Sequence, residues 1–327
     1  MHGAREVRAP GRPEAQGNPL IADYLVILNP ASIRGGAARV GAAVERAFLR
    51  LGARAEVVHT RARRDGERLA HAAAREGRGA VVAVGGDGIV HEVANGLLAA
   101  AGGGPTVPMG VVAAGSGNDF AKMIGVPREA ERAVEAIVRA EPRGVDVGRV
   151  IRWSVDAGRE APWFFTNAIG LGFDAQVAVR ASRIRRLRGL GIYAAAVVRV
   201  LADLKAPRMR VVVDGVEVVD GKLVLTTIAN GACSGGSFWL CPDARVDDGL
   251  LDVLVGDARS AAQVAALIPR VMRGQHLGAR GVHVHRGRRV VVTSEEPLPI
   301  HADGEIVGEG VREIEIELLP GKLIVLT

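Results

Sequence analysis

Short apolar runs alternate with amphipathic stretches over the first half of the chain. Runs with the length and β-branched composition of buried strands lie at 24–28, 55–58, 80–84 and 108–112. Stretches with the apolar spacing of helices lie between them, at 37–51, 65–75 and 89–99. Strand and helix in alternation predict a parallel sheet with helices packed on its faces.

The pattern changes after about residue 150, where strand-like runs follow one another with fewer helices. These runs lie at 163–168, 209–213, 223–229, 250–255, 290–293 and 314–318. Helical spacing is found around 187–204 and 261–272. The expected fold class is α/β, with an N-terminal parallel-sheet nucleotide-binding lobe and a C-terminal mainly β sandwich lobe.

The 327 residues are expected to form a leader and two domains. Residues 1–19 mix Arg, Gly and Pro without periodicity, which predicts a flexible leader. An α/β domain at 20–147 and a β-rich domain at 148–327 follow. Phosphate chemistry is expected in the cleft between the lobes, where the loops after the parallel strands open.

The amino-acid composition limits the kinds of ligand and partner that are expected. Lys and Arg exceed Asp and Glu by 42 to 36, a net charge of +6 that suits phosphate-rich ligands or anionic membrane surfaces. Cys233 and Cys241 are too few for a disulfide framework, so buried thiols in a reducing compartment are expected. Aromatic residues make up only 3%, so a nucleic acid is not an expected partner. No apolar run reaches the roughly 18 residues of a membrane span, which predicts a cytoplasmic protein that meets membranes peripherally.

The sharpest motif is Gly85-Gly86-Asp87-Gly88, between a predicted strand and a predicted helix. Glycines let backbone N–H groups approach a phosphate closely, and the helix N-terminus adds partial positive charge. Asp87 would repel a phosphate unless a cation lay between them. The motif therefore suggests a nucleotide with Mg²⁺, whereas its structural alternative is a glycine turn with a solvated aspartate.

Two further polar loops follow strands of the same predicted sheet. Gly115-Ser116-Gly117-Asn118-Asp119 comes after the strand at 108–112, and Asn29-Pro30-Ala31-Ser32 comes after the first strand. Ser116 could bind a phosphate and Asp119 could extend a carboxylate network, while the structural alternative is N-capping of the next helix by Asn118. These loops are expected at one edge of the sheet.

Two nucleotide motifs are disfavoured. The Walker pattern of spaced glycines followed by Lys and Ser or Thr is absent from these loops. The run from Gly170 to Ala175 matches a loose dinucleotide fingerprint, but it lies in the β-rich half and is predicted to lack the strand, turn and helix of that motif.

Two acidic turns stand out in the second half. Asp243, Asp247 and Asp248 lie within six residues before a strand, an oxygen-rich turn of the kind that hard cations favour, although a solvated β-turn is the simpler reading. The second turn, Asp303-Gly304-Glu305, contains a glutamate that could act as a general base.

In this order, these elements resemble the diacylglycerol kinase catalytic-domain family, which includes bacterial diacylglycerol kinases and the sphingosine and ceramide kinases. The resemblance runs from about Tyr24 to Thr327. The matching elements are Asn29-Pro30, Gly85-Gly86-Asp87-Gly88 with Glu92 and Asn95-Gly96, Gly117-Asn118-Asp119-Phe120-Ala121, Asn230-Gly231, Pro242-Asp243-Ala244, Asp247-Asp248-Gly249-Leu250 and Asp303-Gly304-Glu305.

The resemblance implies an ATP- and Mg²⁺-dependent kinase that phosphorylates a lipid hydroxyl, with diacylglycerol or a related lipid alcohol as acceptor. Glu305 matches the family's proposed base, and Asp87 and Asp303 are the other candidate catalytic residues. A structural Mg²⁺ would bind Asp248 and the backbone carbonyls of Arg245 and Leu250. The residues implied for ATP are Asn29, Pro30, Ser32, Thr60, Gly85, Gly86, Asp87, Gly88, Glu92, Ser116, Asn118 and Asp119, where Asp87 and Asp119 would also join a water-linked network to Mg²⁺.

Two departures keep alternatives open. Ile89 stands where the family usually has Thr, and Ser116 replaces another Thr but keeps its hydroxyl. The alternatives are an NAD kinase-like enzyme, which shares the Gly-Gly-Asp-Gly motif, and a catalytically weak regulator that binds lipid or nucleotide. The two acidic turns favour the lipid kinase.

A basic stretch from Arg180 to Arg210 is the expected membrane contact. It holds nine Arg or Lys residues against the single acid Asp203, interleaved with apolar residues. Its structural alternative is a solvated basic face. The sequence does not specify an oligomeric state, and a homodimer is among the assemblies compatible with it.

Overall fold

A computed structural model describes residues 23–33, 36–154, 163–184 and 190–327 of the protein. The predicted leader at 1–19 lies outside these ranges, as do Arg185, Arg186 and Arg188 of the basic stretch. Within the described ranges, no helix combines the length and the apolar character needed to cross a bilayer.

The first lobe is built on a parallel sheet in the order β2, β1, β3, β4. The strands are β1 (Tyr24–Leu28), β2 (Ala55–His59), β3 (Ala80–Gly85) and β4 (Met109–Ala113). The helices are α1 (Ala37–Arg50), α2 (Asp65–Arg75), α3 (Asp87–Ala101), α4 (Asp119–Met123) and α5 (Ala130–Arg139). β1 and β3 are buried along their whole length because helices cover both faces, which explains their continuous apolar sequences.

The second lobe is mainly antiparallel. Its strands are β5 (Arg143–Ser154), β6 (Trp163–Phe165), β7 (Ala168–Gly172), β8 (Arg208–Val213), β9 (Val216–Ala229), β10 (Leu251–Asp257), β11 (Val282–Gly287), β12 (Arg289–Ala302) and β13 (Glu305–Leu326). Its helices are α6 (Phe173–Ser182), α7 (Leu190–Ala202) and α8 (Ala261–Val271). The predicted α/β lobe followed by a mainly β lobe is confirmed.

β13 joins the two lobes. Its first part pairs antiparallel with β12, as at Ile314 and Val292, whereas its last residues pair parallel with β4, as at Val325 and Met109. β5 runs beside β13 over much of its length. The predicted domain boundary between residues 147 and 148 falls inside β5, so the lobes share continuous strands.

Two local predictions were wrong. The single strand predicted at 163–168 is two strands, β6 and β7, because Thr166 and Asn167 leave the ladder between them. The run from Gly170 to Ala175 does contain a strand, a turn and a helix, since α6 begins directly after Gly172. The neighbours of β7 are antiparallel, however, so this is not the parallel unit of a dinucleotide site.

Candidate active site

The loops after β1, β3 and β4 meet at one edge of the first sheet and face the second lobe. Together they border a cleft of about 1070 Å³. The first lobe supplies residues of all three predicted polar loops, among them Ser32, Asp87, Ser116 and Asp119. The second lobe supplies Asp303-Gly304-Glu305 and the segment from Ser234 to Ser237. The predicted cleft between the lobes therefore exists.

Glycines let the loops after β3 and β4 touch. A Cβ added to Gly86 would lie 3.2 Å from the Cα of Gly115, so the two backbones are already in close approach. Gly85 has a φ of 151°, and a side chain there would collide with Ser32. Gly85 and Gly86 are required here by the available space and by the backbone conformation. This requirement explains why the Gly-Gly-Asp-Gly motif stands out in the sequence.

Asn118 holds the second glycine loop closed. Its backbone has a φ of 55°, in the left-handed region that Asn tolerates better than most residues. The side-chain Oδ1 accepts from Gly115 N at 3.0 Å, and Nδ2 donates to Gly115 O at 2.9 Å. Asn118 was considered as the N-cap of the next helix, but its side chain does not cap α4, because it forms hydrogen bonds with Gly115 instead.

Asp87 binds the start of α4. Its two carboxylate oxygens accept from Asn118 N at 2.7 Å and from Asp119 N at 2.5 Å. Burial, followed by the nearby charge of Asp119, raises the pKa of Asp87 to about 6. A carboxyl group with a pKa of about 6 is mostly ionised at pH 7 and can then bind a cation.

Asp119 links the two lobes. Its carboxylate accepts from Gly236 N at 2.8 Å and lies 3.1 Å from the ammonium of Lys122. Lys122 in turn donates to Gly236 O at 2.7 Å. Cys233 packs beside the pair, with Sγ 3.4 Å from Asp119, and both cysteines are free and buried as predicted.

Asp303 is fully enclosed by donors. It accepts from the backbone N–H groups of Thr166, Asn167 and Ala168 at 2.9–3.0 Å and lies 3.1 Å from His91 Nδ1. Burial alone would raise its pKa, but the bond from His91 and the backbone donors outweigh burial and lower the pKa below its usual value. These contacts fix the turn that carries Glu305.

Glu305 lies at the rim of the cleft with about a third of its side chain exposed. Its carboxylate pairs with the guanidinium of Arg63, which belongs to the loop before α2. Gly88, at the start of α3, is close by, since a Cβ added there would lie 3.8 Å from Glu305 Oε1. The turn of the second lobe thus places a carboxylate beside the N-terminus of α3 in the first lobe.

Several predicted ATP residues shape the loops from behind. Asn29 accepts from Ala31 N at 3.0 Å, at the start of a short 3₁₀ turn that begins with Pro30. Thr60 N donates to Leu28 O at 2.9 Å. Glu92 accepts from the backbone N–H groups of Arg64 and Gly66 at 2.9 Å, so both its oxygens bind the start of α2.

Ile89 does not face the cleft. Its side chain is fully buried against the core shared by α2 and α3, near Gly66 and Gly85. At this position an apolar side chain that packs in the core stands in place of the family's threonine. At the other departure, Ser116 is exposed and lines the cleft.

At the turn predicted to hold a structural Mg²⁺, arginines already neutralise the carboxylates. Asp248 pairs with Arg286, which also lies 3.2 Å from Asp252. Asp248 Oδ1 accepts from Leu250 N at 3.2 Å. The side chains do not present an open set of ligands for a cation, and no catalytic step is assigned to this turn. The ligand set of Arg245, Asp248 and Leu250 stays a prediction.

ATP and Mg²⁺ suit the residues that line the main cleft. Backbone N–H groups at the start of α3, the Ser116 hydroxyl and the side chains of Arg39 and Arg128 can receive phosphates. Asp87 and Asp119 offer the hard oxygen donors that Mg²⁺ requires, with lone pairs beyond the bonds described. No group of three or more His, Cys, Asp or Glu forms a ready-made metal site within the described ranges, so water would complete the coordination.

A second, apolar pocket adjoins the main cleft. It has a volume of about 380 Å³ and lies between the sheet of the second lobe and helices α6, α7 and α8. Ser234, Gly235 and Gly304 border both cavities. Its wall is mainly aliphatic and aromatic, including Val177, Leu254 and Phe238. The pocket therefore reaches the turn that carries Glu305.

Sequence reasoning missed the partners of the predicted residues. Arg63, His91 and Lys122 contact Glu305, Asp303 and Asp119 respectively. Only the contact of Lys122 with Asp119 could have been predicted from the sequence, because the two residues are one helical turn apart. Arg63 and His91 are more than two hundred residues from their partners, so only the fold brings them together.

Comparison with known proteins follows the division into lobes. Residues 23–150 match the family described as Diacylglycerol kinase catalytic domain. Residues 167–327 match the family described as YegS C-terminal NAD kinase beta sandwich-like domain.

Individual proteins match this chain across both lobes. The chain is 33% identical over 263 residues to a diacylglycerol kinase of Mycobacterium tuberculosis, covering 80% of this chain and 81% of the relative. It is 34% identical over 250 residues to a protein named as a YegS-like lipid kinase in Chromohalobacter salexigens, covering 74% of each chain. A crystal structure of a diacylglycerol kinase from Bacillus anthracis superimposes with a TM-score of 0.67 over 93% of this chain and 96% of the other, at 19% identity, which supports the fold.

Proposed function

The chain belongs to the family of diacylglycerol kinases and YegS-like lipid kinases, and from this premise we propose that it transfers the γ-phosphate of ATP, with Mg²⁺, to the hydroxyl of diacylglycerol or a related lipid alcohol. The observation that carries the proposal is the junction of the two cavities at Gly304, where a polar cleft suited to phosphates meets an apolar pocket suited to a lipid chain.

The first lobe, residues 20–147, binds ATP in this proposal. The triphosphate lies against the loops at Ser32, Gly85–Gly88 and Ser116, while Asn29, Pro30, Thr60, Glu92 and Asn118 hold those loops in place. Asp87 and Asp119 would hold Mg²⁺, partly through water, and the ion would supply positive charge that neutralises phosphate oxygens.

The second lobe, residues 148–327, supplies the base and the acceptor. Glu305 takes the proton of the lipid hydroxyl as the hydroxyl oxygen bonds to the γ-phosphorus. The bond from the γ-phosphorus to the bridging oxygen breaks, and ADP leaves with that oxygen. Asp303 is a positioning residue, because its carboxylate is saturated by donors and anchors the turn. Arg63 pairs with Glu305 and holds its carboxylate at the rim of the cleft before the substrates bind.

Transfer of labelled phosphate from ATP to a panel of lipid alcohols, with NAD as a further acceptor, tests the proposal. We expect phosphorylation of at least one lipid, and loss of that activity in Asp87→Asn. Phosphorylation of NAD alone would favour the NAD kinase-like alternative. Binding of ATP and lipid without any transfer would favour the regulator.

The second proposal concerns the membrane. Helices α6 and α7 roof the apolar pocket, and α7 exposes Val198 beside Arg199. Among the described residues of the basic stretch, four arginines form ion pairs, namely Arg180 with Asp203, Arg183 with Glu309, Arg208 with Asp220 and Arg210 with Glu217. We propose that this roof touches the cytoplasmic face of an anionic membrane, from which the lipid enters. Equal co-sedimentation with neutral and anionic liposomes would contradict it.

A further inference from the structure

The apolar pocket carries unlike charges at two ends, the cleft end and the Arg259 end. At the cleft end, Asp174 and Gly304 border the pocket, and Glu305 follows Gly304 in the main cleft. At the other end, Arg259 lines the wall in the segment between β10 and α8. Asp174 lies over β7, whereas Arg259 lies at Gly281, directly before β11, and β9 and β10 separate these strands. The spacing of neighbouring strands puts the two ends roughly 14 Å apart.

The guanidinium of Arg259 lacks an acidic partner in the part of the chain that the structure describes. Its Nε is buried and forms no hydrogen bond with a described residue. Asp257, two residues before it, instead lies 3.1 Å from His283 Nε2. A Cβ added to Gly281 would lie 2.9 Å from Arg259 Nη2, so this glycine leaves room for the guanidinium. A buried cationic group without a partner is costly, and a bound anion would stabilise it.

Charge decides how a single-chain carboxylate lies in this pocket. The carboxylates of Asp174 and Glu305 repel it at the cleft end. Arg259 attracts it, and the planar fork of Nε and Nη2 matches the two oxygens of a carboxylate. The wall between the ends is mainly aliphatic and aromatic, so it accepts a hydrocarbon tail. The carboxylate therefore lies at Arg259 and the tail points towards Gly304, the reverse of an acceptor whose hydroxyl reaches Glu305.

We propose that the apolar pocket is also a binding site for a free fatty acid, with the carboxylate on Arg259 and the tail directed at Gly304. The tail occupies the space that the chain of an acceptor lipid needs, so the fatty acid competes with the acceptor. This competition rests on the proposed function, whereas the binding itself does not. Phosphate transfer then falls as free fatty acid accumulates.

The binding test compares dodecanoate with 1-dodecanol, which have the same chain and differ in charge. Calorimetric titration without ATP, below the aggregation limit of each, should show that the wild type binds dodecanoate about tenfold more tightly, as a hydrogen-bonded pair of charges provides. Arg259→Gln should remove this preference and leave the affinity for 1-dodecanol unchanged, which also shows that the pocket is folded. Arg273→Gln is the matched control, because Arg273 is an exposed arginine after α8 that does not line the pocket.

Equal affinity of the wild type for dodecanoate and 1-dodecanol would contradict the inference, and so would an unchanged preference in Arg259→Gln or its loss in Arg273→Gln.

The competition is measured in the transfer assay. Dodecanoate should raise the KM of the wild type for the lipid acceptor while kcat stays the same, and about tenfold more dodecanoate should be needed for Arg259→Gln. Inhibition that lowers kcat without raising this KM would contradict a shared pocket. Absence of phosphate transfer together with charge-dependent binding would count against the proposed function and leave the fatty-acid site established.

Discussion

Asp87 and Asp303 are carboxylates at the same cleft whose surroundings shift their pKa values in opposite directions. Burial and the charge of Asp119 raise the pKa of Asp87 to about 6. For Asp303 burial acts in the same direction, but His91 and three backbone N–H groups overcome it and lower the pKa. Asp87 can thus bind a cation once it is ionised, whereas Asp303 is held by its hydrogen bonds and fixes the turn before Glu305.

The raised pKa of Asp87 predicts a pH dependence of stability. The folded state holds the proton up to about pH 6, whereas the unfolded chain releases it near the ordinary aspartate pKa of 3.8. The stabilisation from protonated Asp87 is complete below about pH 4 and is lost as pH rises through about 6. We expect the free energy of unfolding of the wild type, relative to Asp87→Asn, to fall by about 2 kcal/mol between these values.

Urea unfolding of both proteins at several pH values, without Mg²⁺, measures this difference. A difference that does not change between pH 4 and pH 7 would contradict the raised pKa. Adding Mg²⁺ at pH 7 should restore part of the wild-type stability, because a cation favours the ionised carboxylate.

At the scale of elements, the glycine-rich loops after β3 and β4 could be predicted from the sequence, but the residues that hold them in place could not. The glycines at 85, 86 and 115 are required by backbone geometry within a few residues, so their spacing carries the signal. The supports come from elsewhere in the chain, as with Glu92 at the start of α2 and Arg63 at Glu305. Helix α6 was not predicted, because Gly170 and Gly172 lie directly before it and it is only ten residues long. Gly170 leaves the space that the side chain of Asp174 occupies.

The acidic turn before β10 gives a prediction at this scale. Arg286 already neutralises Asp248, so Mg²⁺ without nucleotide should leave the melting temperature of Asp87→Asn unchanged. Adding Arg286→Gln should make the melting temperature rise with Mg²⁺ by a few degrees, since the freed carboxylates can then bind it. Arg312→Gln, elsewhere on the surface, is the control. Mg²⁺ stabilisation that is present with Arg286 intact and lost in Asp248→Asn would instead support the ligand set of Arg245, Asp248 and Leu250.

At the scale of the whole molecule, the two lobes share a continuous β-sheet, because the long strands β5 and β13 run from one lobe into the other. The alternation of strands and helices was enough to predict the two lobes. The return of the last strand to β4 could not be predicted, because pairing between residues as distant as Val325 and Met109 leaves no local pattern. The site depends on this continuity, since Glu305 begins the strand that ends in the first lobe's core.

The shared strands predict cooperative unfolding. Leu323 is fully buried in the first lobe although it belongs to the strand that starts at Glu305. We expect calorimetry to show one transition for both lobes, and Leu323→Ala to lower the free energy of unfolding by about 3 kcal/mol. Leu49→Ala, at a position 81% exposed, should change it little. Two separate transitions, with only one shifted by Leu323→Ala, would show that the lobes unfold independently.

The most direct test of the account is the rate of phosphate transfer from ATP to a lipid alcohol in Glu305→Gln, compared with Glu309→Gln on the same strand. In the proposed mechanism Glu305 takes the proton of the acceptor hydroxyl, so Glu305→Gln should lower kcat about a hundredfold or more while ATP still binds. The Glu309 variant loses only a surface pair with Arg183 and should retain wild-type transfer. Equal transfer by both variants would contradict the account.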